Sequence, residues 1–330
     1  MAATVGAPPP LPPVHPPEPL RPAPRGDSLR SWKWSHRLAF ATCWACGLAL
    51  CAVTAAIVVY MGVRGLQYLN FELLFSRPQP GLAQHTTGGI LDPVIGTIVL
   101  TLIGIALAVP LAVAAAIWVV EYGRPAPLAR AIESGIEVVA GTPDIVIAIF
   151  GLAIFQLPLF APLSFTASGG GVFGRSFLAA GSMMSLIALP LVFGATREAL
   201  MSIPAATREA SWALGKTKIC TIREILLPQI RRPIGTGAVL GMGRIVGDTA
   251  VVVVLLGATL QIERQGDVPI LGDLRGTGST LTSYVFNASP AGEGNAPQKA
   301  YAAAFVLLLI VLFLNFAVDV AGRRKEAGRA

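Results

Sequence analysis

Two opposite charges stand inside one of the most apolar stretches of the chain. The segment Gly241-Met242-Gly243-Arg244-Ile245-Val246-Gly247-Asp248-Thr249-Ala250 carries Arg244 and Asp248 four residues apart, the spacing that places two side chains on one face of a helix. A guanidinium fork matches two oxygens of a phosphate. A nearby carboxylate can hold that cation when the site is empty, or can accept from a phosphate hydroxyl. Gly241, Gly243 and Gly247 let neighbouring backbone or an ion come close. The competing reading is a structural ion pair between helices.

A second constellation lies just upstream, in the loop TREALMSIPAATREASWALGKTKICTIREILLPQIRRP, residues 196–233. Ile203, Thr207, Ala210 and Leu214 recur at helical spacing. Gly215 then suits the left-handed conformation that closes a helix. A second short helix is expected from about Lys218, carrying Ile219, Ile222, Ile225 and Leu226. Thr221 and Glu224 have capping-box spacing but fall inside it, and Pro228 is expected to end it. Two short helices around a glycine hinge form a plug for a groove on a partner. Residues 210–217, ASWALGKT, nearly spell a phosphate-binding loop. Ala210 replaces its first glycine, and a helical pattern with Trp212 stands where a strand should precede it. Nucleotide binding by this chain is therefore not expected.

The elements that position these residues must be membrane helices. Of 330 residues, 54% are hydrophobic and 13% charged, about half the charge of a soluble domain. Six stretches reach the length a bilayer requires, about 20 residues: Leu38–Val63, Val94–Val120, Val138–Pro162, Phe177–Ala195, Ile234–Leu260 and Ala300–Val320. None alternates as a membrane strand does, so the fold class is all-α. Pro110, Pro143 and Pro190 should kink these spans or mark their ends. Arg244 then lies about 15 Å along the fifth span, near mid-bilayer, where a charge costs about 2.5–3.5 kcal/mol and calls for a reason.

Lys and Arg concentrate in the N-terminal tail, in 121–133, in 196–233 and at the C-terminus. The alternate loops hold Arg64, Arg77, Arg175, Arg264, Arg275 and Lys299. This asymmetry places both termini and the 196–233 loop in the cytoplasm. It also accounts for the net charge of +7 without nucleic acid. Residues 1–36 are read as a disordered proline-rich tail, 37–325 as the transmembrane domain with its coupling loop at 197–232, and 326–330 as a short cytoplasmic tail. Cys43, Cys46 and Cys51 share one apolar run, Cys220 lies apart, and His15, His36 and His85 are scattered. No disulfide framework or metal site is expected, although Cys43 and Cys46 have CxxC spacing.

Glu209-Ala210-Ser211, three residues, Gly215, nine residues, then Ile225-Leu226-Leu227-Pro228 resembles the EAA motif of ABC importer permeases, E-A-A, x3, G, x9, I-x-L-P. Ser211 is the departure. Gly243-Arg244-Ile245-Val246-Gly247-Asp248-Thr249 resembles the fifth-span signature G-R-A-x-G-E-T of phosphate-specific (Pst) permeases, with Asp248 for glutamate and Ile245 for alanine. Further similarity to the PstA-type subunit covers most of residues 88–325: Gly88-Gly89-Ile90, the second span from VIGTIVL to WVVEYG, VVAGTPDIV and KAYAAAFVLLLIVLFLNF. In the third of these Asp144 replaces a family serine and has no assigned role.

The resemblance implies the type I ABC importer fold with six transmembrane helices in a bacterial plasma membrane. It implies a permease subunit, not an enzyme, for inorganic phosphate. Arg244, Asp248 and Thr249 would line the substrate pathway. Glu209, Ala210, Ser211, Gly215, Ile225, Leu227 and Pro228 would form the coupling loop. The implied partners are a PstC-like permease, a PstB-like ATPase dimer that carries ATP and magnesium, and a PstS-like phosphate-binding protein, for which the outer segment 261–299 is a docking surface. No cofactor is expected in this chain. The rivals are a permease for molybdate, sulfate or an amino acid, a secondary transporter, for which no internal repeat is seen, and a non-transporting scaffold for phosphate sensing.

Overall fold

A computed structural model describes residues 34–79, 88–123, 125–166, 171–257, 259–265, 269–290, 292 and 296–327. The proline-rich tail expected at 1–36 therefore lies outside the described residues up to position 33. The chain divides into two compact units, residues 1–58 and 59–330. The first unit is the N-terminal part of α1, Trp34–Tyr68. Its Leu48, Val53 and Ile57 are all more than half exposed, as a helix bathed in lipid requires.

In the second unit α2 (Phe71–Phe75) leads to α3 (Leu91–Ile117), which continues through a wide π turn at Trp118–Tyr122. Then come α4 (Ala126–Gly141), α5 (Asp144–Phe155), a 3-10 turn at Pro158–Leu163, and α6 (Phe177–Ser202). The loop that follows holds α7 (Ala205–Ala213), α8 (Lys218–Thr221), a π turn at Ile222–Leu226 and α9 (Leu227–Gln229). The chain ends with α10 (Arg231–Gly247), α11 (Ala250–Leu256), α12 (Pro269–Arg275), α13 (Leu281–Ala288) and α14 (Pro297–Ala327). The described residues are almost wholly helical, with two isolated β-bridges.

Among the described residues four helices are long and apolar enough to cross a membrane, or up to six if each of two bent pairs counts as one span. The bent pairs correct the expected third and fifth spans. The stretch Val138–Pro162 is not one helix. The chain is already helical from Ala126, breaks at Thr142-Pro143, and turns by 109° into α5. Proline drives its predecessor to extended backbone, and Thr142 lies at φ −81°, ψ 133°. The 12 residues of α5 extend only about 18 Å, short of a bilayer core. The fifth span bends by 66° between α10 and α11, with Asp248 extended at the break. Pro110 and Pro190, by contrast, lie within the continuous helices α3 and α6.

Three buried clusters hold the second unit together. One joins α3, α5, α6, α10 and α11 through Leu100, Ala108, Ile147, Met184, Ile245 and Leu255. Another joins α13 and α14 through Leu281, Tyr284, Ala303 and Val306. The third anchors the end of the long spans to the loop helices through Ala116, Phe193, Leu200, Ile222, Leu226 and Ile230. Small residues set the spacing: a Cβ added at Gly181 of α6 would stand 2.4 Å from Ile103 Cγ2 of α3. Any larger residue there would force these two helices apart.

Candidate functional site

The first site lies where the two broken spans meet. One face of α10 packs inward through Gly237, Ala238, Gly241, Met242, Ile245 and Val246. A Cβ at Gly241 would already be 3.2 Å from Ala188, so this glycine serves helix packing. The opposite face leaves Leu240, Gly243, Arg244 and Gly247 exposed. Gly243 and Gly247 border open space, with nothing within 4 Å of an added Cβ. Of the three expected close-approach glycines, only these two face room for an ion.

Arg244, in the last turn of α10, does not take Asp248 as its ion-pair partner. Its Nη2 donates to both carboxylate oxygens of Asp144, at 2.9 and 2.7 Å. Asp144 is the first residue of α5. The expected pair four residues apart is therefore corrected to a bridge between two spans, because α10 stops at Gly247 and Asp248 leaves its face. The Asp248 carboxylate accepts the N–H of Val251 at 2.9 Å, capping α11 as aspartate does at helix starts. Its own carbonyl accepts from Thr282 Oγ1 at 3.2 Å. Thr249 is half-buried beside it, its carbonyl accepting from Val253. Asp144 and Asp248 are near enough to feel each other's charge. Among the described residues Nε and Nη1 of Arg244 hold no bond, and its side chain is 51% exposed against 26% for Asp144. A half-exposed cation with unused donors beside an open glycine edge can contact a small oxyanion, which must compete with the nearby carboxylates for it.

The second site is the loop. Gly215 adopts φ +77°, and the two bonds of a Schellman turn follow: Gly215 N–H to Trp212 O at 2.9 Å and Lys216 N–H to Ser211 O at 3.2 Å. This backbone is helical where a phosphate-binding loop would need a strand. Thr217 caps α8 through Cys220 N–H at 3.4 Å, starting the second helix at Lys218 as expected, with Thr221 and Glu224 inside. Pro228 does not end it. The chain turns at Ile230 instead, and the π turn one step earlier widens the helix where the proline ring would meet the Glu224 carbonyl.

Ser211, the departure from the motif, is buried and bonds Thr221 Oγ1 at 2.8 Å, tying α7 to α8. Lys216 pairs with Glu224, which also accepts from the Cys220 thiol at 3.1 Å. Lys216 beside it holds the Glu224 carboxyl below the usual range. Glu224 in turn raises both the Lys216 ammonium and the Cys220 thiol. Glu209 and Ala210 are exposed, and Ile225, Leu227 and Pro228 half-buried. Trp212, Leu214 and Ile219 present 48%, 80% and 69% of their surface outward. Beneath them Ile222 and Leu226 are buried.

Sequence reasoning missed how the loop is fastened. Arg208 Nε and Nη2 donate to Glu121 Oε1 at 2.9 and 2.8 Å, and Nη1 and Nη2 reach the Ile203 and Leu200 carbonyls at 2.8 and 2.9 Å. The pair is nearly buried, at 16% and 6% side-chain exposure. Lys218 donates to the Glu121 carbonyl and lies 4.6 Å from the Tyr122 ring. Arg197 of α6 pairs with Glu133 of α4 at 2.8 Å. The available signal was a single acid, Glu121, closing a long apolar run. Segment 261–299 contributes Arg264 and Asp273 to a cleft of about 530 Å³ whose other walls include Arg77, Asp92 and Phe177. Among the described residues no group of three His, Cys, Asp or Glu could hold a metal ion.

Residues 108–327 match the family described as the binding-protein-dependent transport system inner membrane component. The chain belongs to this family. The permease is 32% identical over 249 residues to the phosphate transport system permease protein PstA 1 of Mycobacterium tuberculosis, covering 74% of each chain. It is 30% identical over 278 residues to the probable ABC transporter permease protein YqgH of Bacillus subtilis, covering 82% of this chain and 85% of that one. It is 28% identical over 286 residues to PstC of Xylella fastidiosa, covering 82% and 83%. The permease shares its fold with a chain of a bacterial alginate ABC transporter crystallised with an alginate-bound periplasmic protein. The TM-score is 0.58 at 16% identity, over 89% of this chain and 98% of that one. It is thus a multi-pass membrane subunit of an ABC importer rather than an enzyme, and ATP hydrolysis belongs to a separate subunit.

Proposed function

We propose that this permease is the PstA-type half of an ATP-driven importer of inorganic phosphate in a bacterial plasma membrane, with both termini cytoplasmic and each bent helix pair counted as one of six spans. The observation that carries the substrate class is Arg244, a half-exposed guanidinium with free donors at the junction of two broken spans. Relatives named as phosphate permeases, at 28–32% identity, support phosphate among oxyanions. Of the relatives quoted, the PstA chain has the higher identity, which favours the A-type subunit with a PstC-like partner.

The loop of Glu209, Ala210, Ser211, Gly215, Ile225, Leu227 and Pro228 offers exposed Trp212, Leu214 and Ile219 to a cleft on a PstB-like ATPase dimer, which holds ATP and magnesium. Closure of the ATPases would move α7–α9. Arg208 and Lys218, bonded to Glu121, would carry that motion to α3 and hence to the packed spans that position Arg244. This is alternating access driven by a ligand-biased two-state element. A PstS-like protein would deliver phosphate to the outer segments. The chain holds no cofactor of its own.

The test is uptake of labelled phosphate by the reconstituted complex, with and without ATP, against sulfate and molybdate. Arg244→Gln should abolish uptake while the complex still assembles with its ATPase. Normal uptake by that variant would make the residue structural, and stronger competition by molybdate than by phosphate would reassign the substrate.

A further inference from the structure

Resting on the reading of Arg244 as the oxyanion contact, we propose that Asp144 is a built-in counterion that competes with the transported anion and must be displaced before it binds. The pairing is one-sided. A single nitrogen, Nη2, touches both Asp144 oxygens, so the carboxylate sits at one corner of the guanidinium instead of filling its fork. Among the described residues Nε and Nη1 hold no bond, but each of the two forks of a guanidinium includes Nη2, so an anion that binds through two oxygens must take Nη2 from Asp144. An oxyanion that engages the fork with two oxygens gains two parallel charge-assisted bonds, which the resting pair does not use.

Asp144 is free to let go. It begins α5 just after the extended Thr142-Pro143 break, and its side chain keeps 26% of its surface exposed. Release therefore leaves no fully buried charge behind. Asp248 already spends one carboxylate oxygen on the Val251 N–H and forms no ion pair with Arg244 in the resting site. Displacement also has a mechanical consequence. The Asp144–Arg244 bridge joins the two spans that are broken, so anion binding releases the polar tie between α5 and α10 at the point where both can bend, leaving their shared apolar cluster in place. An empty site is neutralised and latched, and an occupied one is released.

A competitor tied to the same site lowers apparent affinity by the fraction of time it occupies it. A pair formed about nine-tenths of the time masks about tenfold. The experiment measures equilibrium binding of labelled inorganic phosphate to the purified transporter complex without its binding protein, for the unaltered complex and for Asp144→Asn, Asp144→Ser, Asp144→Glu and Arg244→Gln. The expected result is a dissociation constant about tenfold lower for Asp144→Asn and Asp144→Ser, near its original value for Asp144→Glu, and no binding for Arg244→Gln. Unchanged or weaker binding in Asp144→Asn and Asp144→Ser, with Arg244→Gln still inactive, overturns the counterion role and leaves the Arg244 reading in place. Failure of both neutral variants to assemble also overturns it, since a displaceable partner is not needed to fold. Normal binding by Arg244→Gln removes the reading on which the proposal rests.

Discussion

Removing Arg208 should do more damage than any other single change in the loop, and the structure says by how much. Its guanidinium makes two bonds to Glu121 Oε1 and one each to the Ile203 and Leu200 carbonyls, all between 2.8 and 2.9 Å. Both carbonyls lie at the C-terminal end of α6, where acceptors lose their usual helical donors; Leu200 O also accepts the Ile203 N–H at 3.4 Å. Truncation to alanine leaves the Glu121 carboxylate, only 6% exposed, without a counter-charge. Breaking a buried pair from one side costs about 3–5 kcal/mol, or an apparent melting temperature about 10 °C lower for a domain of this size. Glu121→Ala alone removes the acid but leaves a cation that can reach solvent, so it should cost less. The double variant should recover about 1–3 kcal/mol relative to additivity, as coupled neighbours do. Thermal unfolding of the detergent-solubilised complex, with all three variants in a double-mutant cycle, gives these values. ATPase activity and phosphate uptake measured in parallel should show hydrolysis persisting while uptake falls. Additive costs, or a melting temperature unchanged in Arg208→Ala, would refute the clamp.

The loop yields four further expectations. Gly215→Val should leave the protein in the membrane but uncouple ATP hydrolysis from uptake. Gly215→Ala alone should cost about 1–2 kcal/mol from its left-handed backbone, because an added Cβ touches nothing within the chain; coupled uptake in Gly215→Val argues against the hinge. Ser211→Ala should lower stability by about 1 kcal/mol with uptake retained, since Thr221 still donates to the Thr217 carbonyl at 3.1 Å. With Cys43, Cys46 and Cys51 replaced, Glu224→Gln should speed maleimide labelling of Cys220 at pH 8, because Glu224 holds that thiol protonated; an unchanged rate refutes it. The Lys216–Glu224 pair should leave melting flat between pH 5 and 9. The lowered Glu224 carboxyl stabilises above the ordinary carboxylate range and loses that contribution only as pH falls through its depressed value, while the raised Lys216 ammonium loses its part only at high pH. A melting transition that shifts inside that window when Glu224 is intact, and not in Glu224→Gln, contradicts this.

Much of this protein was legible from local chemistry. Apolar length located four of the expected spans as continuous helices, because lipid demands internal backbone bonding over a fixed thickness, whereas the third and fifth are bent pairs among the described residues. The glycine turn at 215 and the helix start at Lys218 were legible because both depend on backbone within a few residues. Proline at 143 marked a true break, whereas prolines 110 and 190 did not, since a packed helix tolerates the lost donor when its neighbours hold it. The π turn before Pro228 and the break at Asp248 carried no comparable signal. The break at Asp248 has no proline, and its cause is a side chain capping the helix that follows.

The sequence alone therefore determined where the long apolar stretches lie, which loop is amphipathic and which charge stands among apolar neighbours. Those properties follow from composition and from spacing along the chain. Only the tertiary structure decided who pairs with whom. Asp144 and Arg244 are 100 residues apart in sequence, and Glu121 and Arg208 are 87 apart. Helical periodicity reaches three or four residues and no further. Partners from different spans are selected by the packing of α3, α5, α6 and α10, which no local pattern encodes.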